Sequence, residues 1–230
     1  MTYDPAWFSS PGPARPRRAQ SGVRPVGLWI QKWSTRPTTV ILVDLDGWAA
    51  TTAEQYLSRM GRRWAHVRAV AAKARVVASV LRPGDAELLV PAAFLHDVGY
   101  APPLAVEGFH PLDGGRFVRK AGNERLARLV AHHSGARREA ELRGYTGYLS
   151  EFRYDDTLLD HALTYCDMTT GPDGRPMVVR ERVDEIIQRY GPEHTTARAI
   201  SDSEAEFLGI EQRIEALLED QRTAGTAPER

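Results

Sequence analysis

The first regular feature of the chain is a helical spacing of apolar residues that begins near residue 51. Apolar side chains recur there at three- and four-residue steps, which places them on one face of an α-helix. The spacing predicts a helix of about thirty residues, begun by Thr51 or Thr52 and ended by Pro83-Gly84. Its apolar positions are Tyr56, Met60, Trp64, Val67, Ala71, Ala74, Ala78 and Leu81.

Shorter helical segments follow, and most of them are bounded by glycine or proline. They are predicted over 85–98, 111–121, 124–133, 156–168, 178–190 and 196–218. A polar, arginine-rich loop is predicted after Gly135. These patterns predict an all-α fold with a main domain over 51–192, a C-terminal helix over 193–218 and a flexible tail over 219–230.

The beginning of the chain differs in composition from the rest. Residues 1–38 contain six prolines, and six Arg or Lys residues against one Asp. Because proline removes backbone donors and blocks regular pairing, we expect an irregular, Pro/Arg-rich N-terminal leader there. The β-branched and apolar residues between 38 and 43 predict a short extended segment over 39–50.

Charge and cysteine content narrow the class of protein. Thirty Lys and Arg residues balance thirty Asp and Glu residues, which argues against a protein that coats nucleic acid or an anionic membrane. Cys166 is the single cysteine, so no intrachain disulfide forms. No apolar run approaches the roughly 20 residues of a membrane-spanning helix, and Arg17-Arg18 is not followed by the apolar stretch of a secretory signal. We therefore expect a soluble, cytoplasmic protein.

The histidines occupy distinctive positions on the predicted helices. Five of the seven lie between residues 66 and 133, one inside the first long helix and the others at helix ends. Each one alone is explained as a hydrogen-bonded core residue or a helix cap. Their combination needs another explanation. Antiparallel helices bring such positions towards one point, where imidazoles and carboxylates form a site for divalent transition metals. The residues concerned are His66, His96-Asp97, His110, His132-His133 and Asp167.

Five short segments carry this pattern in order. They are Arg63-Trp64-Ala65-His66-Val67, Phe94-Leu95-His96-Asp97-Val98-Gly99, His110-Pro111-Leu112-Asp113-Gly114-Gly115, Val130-Ala131-His132-His133-Ser134-Gly135 and Thr164-Tyr165-Cys166-Asp167. Together they resemble the HD-domain metal-dependent phosphohydrolases, whose ligands lie on a helical bundle. The resemblance covers roughly residues 56–190 and implies an HD-type helical bundle here.

The resemblance also implies a role for each residue. The positions that match the first-metal ligands are His66, His96, Asp97 and Asp167. His110 and His132 match the extra histidines of two-metal branches, with Asp97 bridging the ions. The role of His133 is open: it is a metal ligand, a proton carrier or a contact to the substrate phosphate. Asp97 and His133 are therefore the candidate catalytic residues.

Such a site implies hydrolysis of a phosphate ester. One or two ions of iron, manganese, cobalt, nickel or zinc would activate hydroxide to attack a phosphomonoester or phosphodiester, of a nucleotide or another small molecule. Relatives often carry a lysine soon after the His-Asp doublet, where this chain has Val98-Gly99-Tyr100. Candidate phosphate-binding groups are therefore Arg63, Arg116 and Arg137. Long nucleic acid is a disfavoured substrate because the chain has no net charge.

Two other interpretations are open at this point. The segment Asp44-Leu45-Asp46-Gly47 resembles the nucleophile loop of haloacid-dehalogenase-like phosphatases, where Asp44 would accept the phosphoryl group and Asp46 would act as the acid. That fold needs alternating strands and helices, which the patterns do not predict. The second alternative is a non-catalytic regulatory or nucleotide-sensing HD module. Such modules usually miss part of the ligand set, whereas this chain has all of it, so catalysis is the favoured interpretation.

Overall fold

A computed structural model describes residues 44–145, 147 and 151–225, and the regular elements of this part of the chain are helical. The α-helices are α1 (Leu45–Leu57), α2 (Arg62–Val77), α3 (Pro83–Leu95), α4 (His110–Lys120), α5 (Glu124–His132), α6 (Ala136–Arg143), α7 (Leu158–Met168), α8 (Val179–Tyr190), α9 (Thr195–Asp202) and α10 (Glu204–Gly225). Single turns of 3₁₀-helix, Ala78–Val80 and Val98–Tyr100, follow α2 and α3. The expected all-α fold is confirmed for these residues. The leader expected over 1–38 lies outside them.

The beginning of α1 corrects the extended segment expected over 39–50, of which residues 39–43 lie outside the described residues. From Leu45 the chain is helical, because Asp44 caps the helix and its Oδ1 accepts a hydrogen bond from the Gly47 amide at 2.9 Å. Asp46 lies in the first turn, where a negative charge interacts favourably with the helix dipole. These two carboxylates thus start a helix. Residues 44–145 and 151–225 contain no β-strand, so they offer no part of the sheet that the haloacid-dehalogenase interpretation needs.

The long helix expected between Thr51 and Leu81 is also corrected, because it consists of two helices. α1 ends at Leu57, and α2 begins after Gly61, whose φ of 50° lies in the left-handed region that favours glycine. The break gives α2 its own direction. As a result His66, one turn into α2, is buried with Val67.

Two further segments are more regular than the sequence suggested. The arginine-rich stretch after Gly135 is not a loop but α6. Arg143 and Glu139, one helical turn apart, form an ion pair at 2.6 Å that stabilises this helix. The helix expected over 196–218 is interrupted at Ser203 and continues as α10 to Gly225. The expected tail over 219–230 is therefore helical as far as residue 225.

The interior is built around the C-terminal half of α3. Residues 89–95 are all buried, and α3 packs against α1, α2 and α7. Because this end of the helix is buried, the doublet that follows it is buried too, with His96 at 0% and Asp97 at 4% exposure. A second, smaller apolar cluster joins Met168 at the end of α7 to Val183 and Ile186 of α8. Across the described residues, no helix combines the length and apolar character that crossing a membrane requires.

Gly99 sets the distance between the turn after the doublet and the first turn of α4. A Cβ atom at this position would lie 2.1 Å from the carbonyl oxygen of His110 and 2.6 Å from the amide nitrogen of Gly114. Only glycine allows the two backbone segments to approach this closely. The contact brings Asp97 and His110 to the same end of the bundle.

Candidate metal centre

A first group of ligand atoms joins α2, α3 and α7. His66 Nε2 lies 3.0 Å from Asp167 Oδ1 and 3.3 Å from His96 Nε2. His96 Nε2 and Asp167 Oδ1 are 3.9 Å apart, and the three side chains are at most 10% exposed. A mid-helix residue of α2 and the C-terminal ends of α3 and α7 therefore meet at one point, as the helix-end positions predicted.

Backbone carbonyls determine which ring nitrogen carries the proton in the two neutral histidines of this group. His66 Nδ1 lies 3.0 Å from the carbonyl oxygen of Gly171, and His96 Nδ1 lies 2.8 Å from that of Ala93. A carbonyl only accepts hydrogen bonds, so each Nδ1 carries a proton and donates it. In the neutral rings the lone pairs are therefore on the two Nε2 atoms, which face the group. This is the usual arrangement of metal-binding histidines.

A second group lies beside the first and joins the end of α3 to α4 and α5. His110 Nε2 is 3.2 Å from His133 Nε2 and 3.5 Å from Asp97 Oδ1. His133 Nε2 is 3.9 Å from the same carboxylate oxygen. His133 Nδ1 donates to the carbonyl of Val130 at 2.7 Å, and the His110 ring stacks on Tyr100 with 3.9 Å between centroids. Both rings are thus held with Nε2 towards Asp97.

Asp97 lies between the two groups. One of its carboxylate oxygens, Oδ1, faces His110 and His133, whereas Oδ2 is 3.5 Å from His96 Nε2 and accepts a hydrogen bond from Arg63. Burial alone would raise the pKa of Asp97, but the positive charge of Arg63 and the neighbouring histidines outweigh it and hold this pKa well below its usual range. The carboxylate is therefore ionised and available to a cation on either side.

The electrostatics favour cation binding at the other ligands too. Burial raises the pKa of Asp167, but the hydrogen bond that His66 donates to it when the ring is protonated, together with nearby positive charges, reverses this and places it well below the usual value. Burial lowers the pKa of both His110 and His133, because it disfavours the charged imidazolium. At neutral pH the second group therefore offers neutral imidazoles, the form that binds metals.

The residues of the two groups fit divalent metal ions. Within each group the ligand atoms all lie within 4.8 Å of one another. The first group offers two imidazole nitrogens and a carboxylate oxygen, and so does the second. This mixed set suits iron, manganese, cobalt, nickel and zinc, and it lacks the oxygen-rich character that calcium prefers. The sets are His66, His96 and Asp167, and Asp97, His110 and His133.

His132, the expected second-metal ligand, is turned away from these groups. Its Nε2 lies 2.7 Å from the carbonyl oxygen of Phe152, and its ring packs against Tyr154 at 5.2 Å between centroids. The next residue, His133, occupies the place beside Asp97 instead. The structure therefore brings together six of the seven predicted histidine and aspartate positions, and it separates His132 from them.

The three candidate phosphate-binding arginines have different surroundings. Arg63 lies at the centre, where it donates to Asp97 and stacks on Tyr100 at 3.5 Å from the ring centroid. Arg116 is engaged by two carboxylates, Glu107 at 2.8 Å and Glu151 at 2.7 Å. Of the three arginines, only Arg63 contacts a candidate metal ligand in the described part of the chain.

Arg137 is the third of these arginines, and it lies over Tyr154 at 4.4 Å from the ring centroid. It lines an open cleft with Asp156, His161 and Arg213. Its place is therefore a surface cleft beside α7 and α10, not the group of metal-ligand atoms.

Lys73 is a supporting residue that the sequence did not reveal. From α2 its Nζ donates to both the carbonyl oxygen and the hydroxyl of Thr169, each at 2.5 Å. Thr169 lies in the segment between Asp167 and Gly171. The carbonyl of Gly171 is the one that orients His66. Burial lowers the pKa of Lys73, which shows that holding its ammonium group here has an energetic cost. Nothing in the local sequence pattern connects residues 96 positions apart.

A helical bundle with two adjacent His/Asp groups at one end defines a class of metal-binding helical domains. The chain belongs to the HD domain family, because the model of that family matches residues 63–189, more than half of its length. All six residues of the two groups lie inside the match. HD domains bind divalent metals and have a fold of the metal-dependent hydrolase type. No curated protein and no solved structure gives a significant match to the chain.

Proposed function

We propose that this protein is a metal-dependent phosphohydrolase that cleaves a phosphate ester of a nucleotide or another small molecule. One divalent ion would be held by His66, His96 and Asp167, and a second by His110 and His133, with Asp97 between them. The observation that carries the proposal is the convergence of these ligand atoms, with three of the four histidines oriented through Nδ1 by backbone carbonyls.

His133 replaces His132 in the proposed ligand set. Its Nδ1 is committed to the Val130 carbonyl, and its Nε2 faces Asp97 and His110. A ring held in this way has no free nitrogen for carrying protons once Nε2 binds an ion. Of the three roles open for His133, we therefore favour the ligand.

Bound divalent ions supply Lewis acidity toward phosphoryl oxygens and lower the pKa of water towards neutrality. The chain's own residues prepare the site for this chemistry. Ionised Asp97 and Asp167 provide the negative charge that retains cations, and burial of the centre strengthens every charge interaction in it. Arg63 adds a guanidinium beside Asp97, which would contact a substrate oxygen bound there.

The proposal is tested by elemental analysis together with a hydrolysis assay. We expect about two equivalents of a transition metal in the parent protein and release of phosphate or alcohol from aryl phosphates and nucleotides. The Asp97→Asn variant should lose metal and turnover together, whereas His161→Asn, a change at a hydrogen bond with Asp156 outside both groups, should keep both. About one equivalent with turnover would remove the second ion from the proposal.

Loss of all metal after anaerobic purification and reconstitution would overturn the proposal. Metal binding and nucleotide binding without any turnover would favour the regulatory or nucleotide-sensing module instead. The two outcomes differ in the metal measurement, so the assay separates them.

A further inference from the structure

Three arginine side chains on α2 and α8 are buried. The side chains of Arg63, Arg182 and Arg189 are 10%, 8% and 13% exposed. Burying an arginine is unfavourable unless ionic and hydrogen-bonding partners compensate. Arg182 and Arg189 contact the same carboxylate, so these two buried cations call for negative charge in their region.

Among the described residues, Arg182 and Arg189 face fewer carboxylates than two buried cations need. Arg63 donates to Asp97, which is a candidate metal ligand. Arg182 and Arg189 share one carboxylate, Glu185, through an Arg182 Nη1 hydrogen bond and an Arg189 Nε contact of 3.4 Å. In the part of the chain that the structure describes, the buried Nε atom of Arg182 has no hydrogen-bond partner, and that of Arg189 has only its 3.4 Å ion-pair contact with Glu185. One carboxylate thus serves two buried cations, and donors are left over.

Helix α8 directs these residues towards the centre. Arg182 follows Val179 by three positions and precedes Ile186 by four, so it lies on the same buried face of the helix. That face packs on Met168, the residue after Asp167. Arg182 accordingly belongs to the positive charges that lower the pKa of Asp167.

Arg189 is also affected by the other two arginines. The charges of Arg182 and Arg63 both lower the pKa of Arg189, in addition to the larger effect of its burial. Like charges in a buried site destabilise each other, and cations at the metal positions would add to this repulsion. An anion bound among them removes it.

We propose that Arg63, Arg182 and Arg189 form a guanidinium pocket that binds the phosphate of the substrate as a dianion. The pocket favours a phosphomonoester over a phosphodiester, because a monoester carries up to two negative charges at neutral pH and a diester carries one. Three forked guanidinium groups match the three terminal oxygens of a monoester. This inference rests on the proposed function and names its substrate class.

The test is calorimetric titration with phenyl phosphate and with diphenyl phosphate, used as a monoester and a diester probe. We expect the parent protein to bind phenyl phosphate more tightly than diphenyl phosphate. Arg182→Gln and Arg189→Gln should each weaken phenyl phosphate binding by about tenfold or more, the loss expected for a charge-assisted hydrogen bond. The effect on diphenyl phosphate should be smaller.

Arg180→Gln is the matched control, because Arg180 lies on the same helix and its side chain is 69% exposed. We expect it to bind both probes as the parent does. Arg182→Lys keeps the charge in case Arg182→Gln does not fold, and it should still weaken phenyl phosphate binding because lysine lacks the planar fork. Circular dichroism and metal content are measured for every variant, so that binding is compared at equal metal occupancy.

Each outcome bears on one proposal separately. Unchanged affinity in Arg182→Gln and Arg189→Gln, in protein that binds metal and hydrolyses phosphate esters, overturns the pocket and leaves the proposed function in place. Equal affinity of the parent for the two probes overturns the monoester preference. Absence of metal from the parent overturns the proposed function, and the titrations on that protein still report whether the arginines bind phosphate.

Discussion

His66 and His96 face each other with 3.3 Å between their Nε2 atoms, although both rings donate through Nδ1 to backbone carbonyls. In their neutral forms the two rings therefore present lone pairs to one another, and neither can donate a hydrogen bond across the gap. A cation bound between them converts this repulsion into two favourable bonds. The carboxylate of Asp167, 3.0 Å from His66 Nε2, supplies the negative charge that such a cation needs.

The first prediction concerns this pair. His66→Ala removes one of three ligand atoms of the first group, so we expect its ion to be lost and the metal content to fall by about one equivalent. His161→Ala is the control, because His161 pairs with Asp156 outside both groups. Elemental analysis of the two variants and the parent checks the prediction. Equal metal content in all three proteins would show that His66 is a structural residue of the core.

A second prediction separates the two adjacent histidines at the end of α5. His133→Ala should remove the ion of the second group, since His133 Nε2 faces Asp97 and His110. His132→Ala should keep that ion, because His132 Nε2 binds the Phe152 carbonyl. Thermal unfolding first confirms that both variants fold, and their metal content then shows which of the two histidines binds the second ion. The opposite result, with metal lost only in His132→Ala, would restore the ligand set that the sequence implied.

This pair of residues also shows how much of the candidate site can be predicted from the sequence. The order and spacing of the histidines predicted that a doublet at the end of a helix would lie near the metal ligands. Which member faces the ligands depends on where the helix ends. His132 is the last helical residue, whereas His133 has an extended conformation with φ of −63° and ψ of 147°. Since helix ends are predicted only to within a residue or two, the two side chains could not be told apart.

The existence of most helices was predictable from the sequence, although the residues at which they end were not. Apolar spacing, together with glycine and proline boundaries, identified α2 to α5, α7 and α8, because each buries apolar side chains. It joined α1 to α2, because Gly61 interrupts the backbone without interrupting the apolar spacing. It missed α6, whose charged sequence has little apolar character and is stabilised by ion pairs such as Arg143–Glu139. Of the proposed guanidinium pocket, Arg63 was a candidate from the sequence, whereas Arg182 and Arg189 were hidden because their part in it depends on how α8 packs.

The third prediction tests Lys73, which supports His66 from a distance. Lys73→Met removes the donor to the carbonyl and hydroxyl of Thr169, so the segment that carries the Gly171 carbonyl should loosen. Loss of an outer hydrogen bond of this kind lowers metal affinity by about 10- to 100-fold. Competition with a chelator of known affinity measures the change.

The control for Lys73 is Lys120→Met, at an exposed lysine in the last turn of α4. It removes the same charge without touching the segment from 169 to 171, and we expect no change in metal affinity. If both variants lose affinity equally, net charge rather than positioning accounts for the effect. If neither does, the Thr169 segment holds its place without Lys73.

The last prediction uses the close approach at Gly99. A methyl group there would lie 2.1 Å from the His110 carbonyl oxygen, so Gly99→Ala must push the turn after Asp97 away from α4. Overpacking of this kind destabilises a protein by about 1–3 kcal/mol, and each kcal/mol lowers the melting temperature by about 2–4 °C in a chain of this size. Because the same movement separates Asp97 from His110, the ion of the second group should be lost as well.

Gly84→Ala provides the matched comparison. Gly84 lies in the first turn of α3, and among the described residues a Cβ built on it meets no atom within 4 Å beyond its chain neighbours and its own helix backbone. We expect this variant to keep its metal and to be more stable by about 0.4–1 kcal/mol, since alanine reduces the entropy of the unfolded chain. Thermal unfolding and elemental analysis of both variants test the idea. A Gly99→Ala protein with the melting temperature and metal content of the parent would mean that the bundle accommodates the methyl group, and that Asp97 and His110 keep their places without this contact.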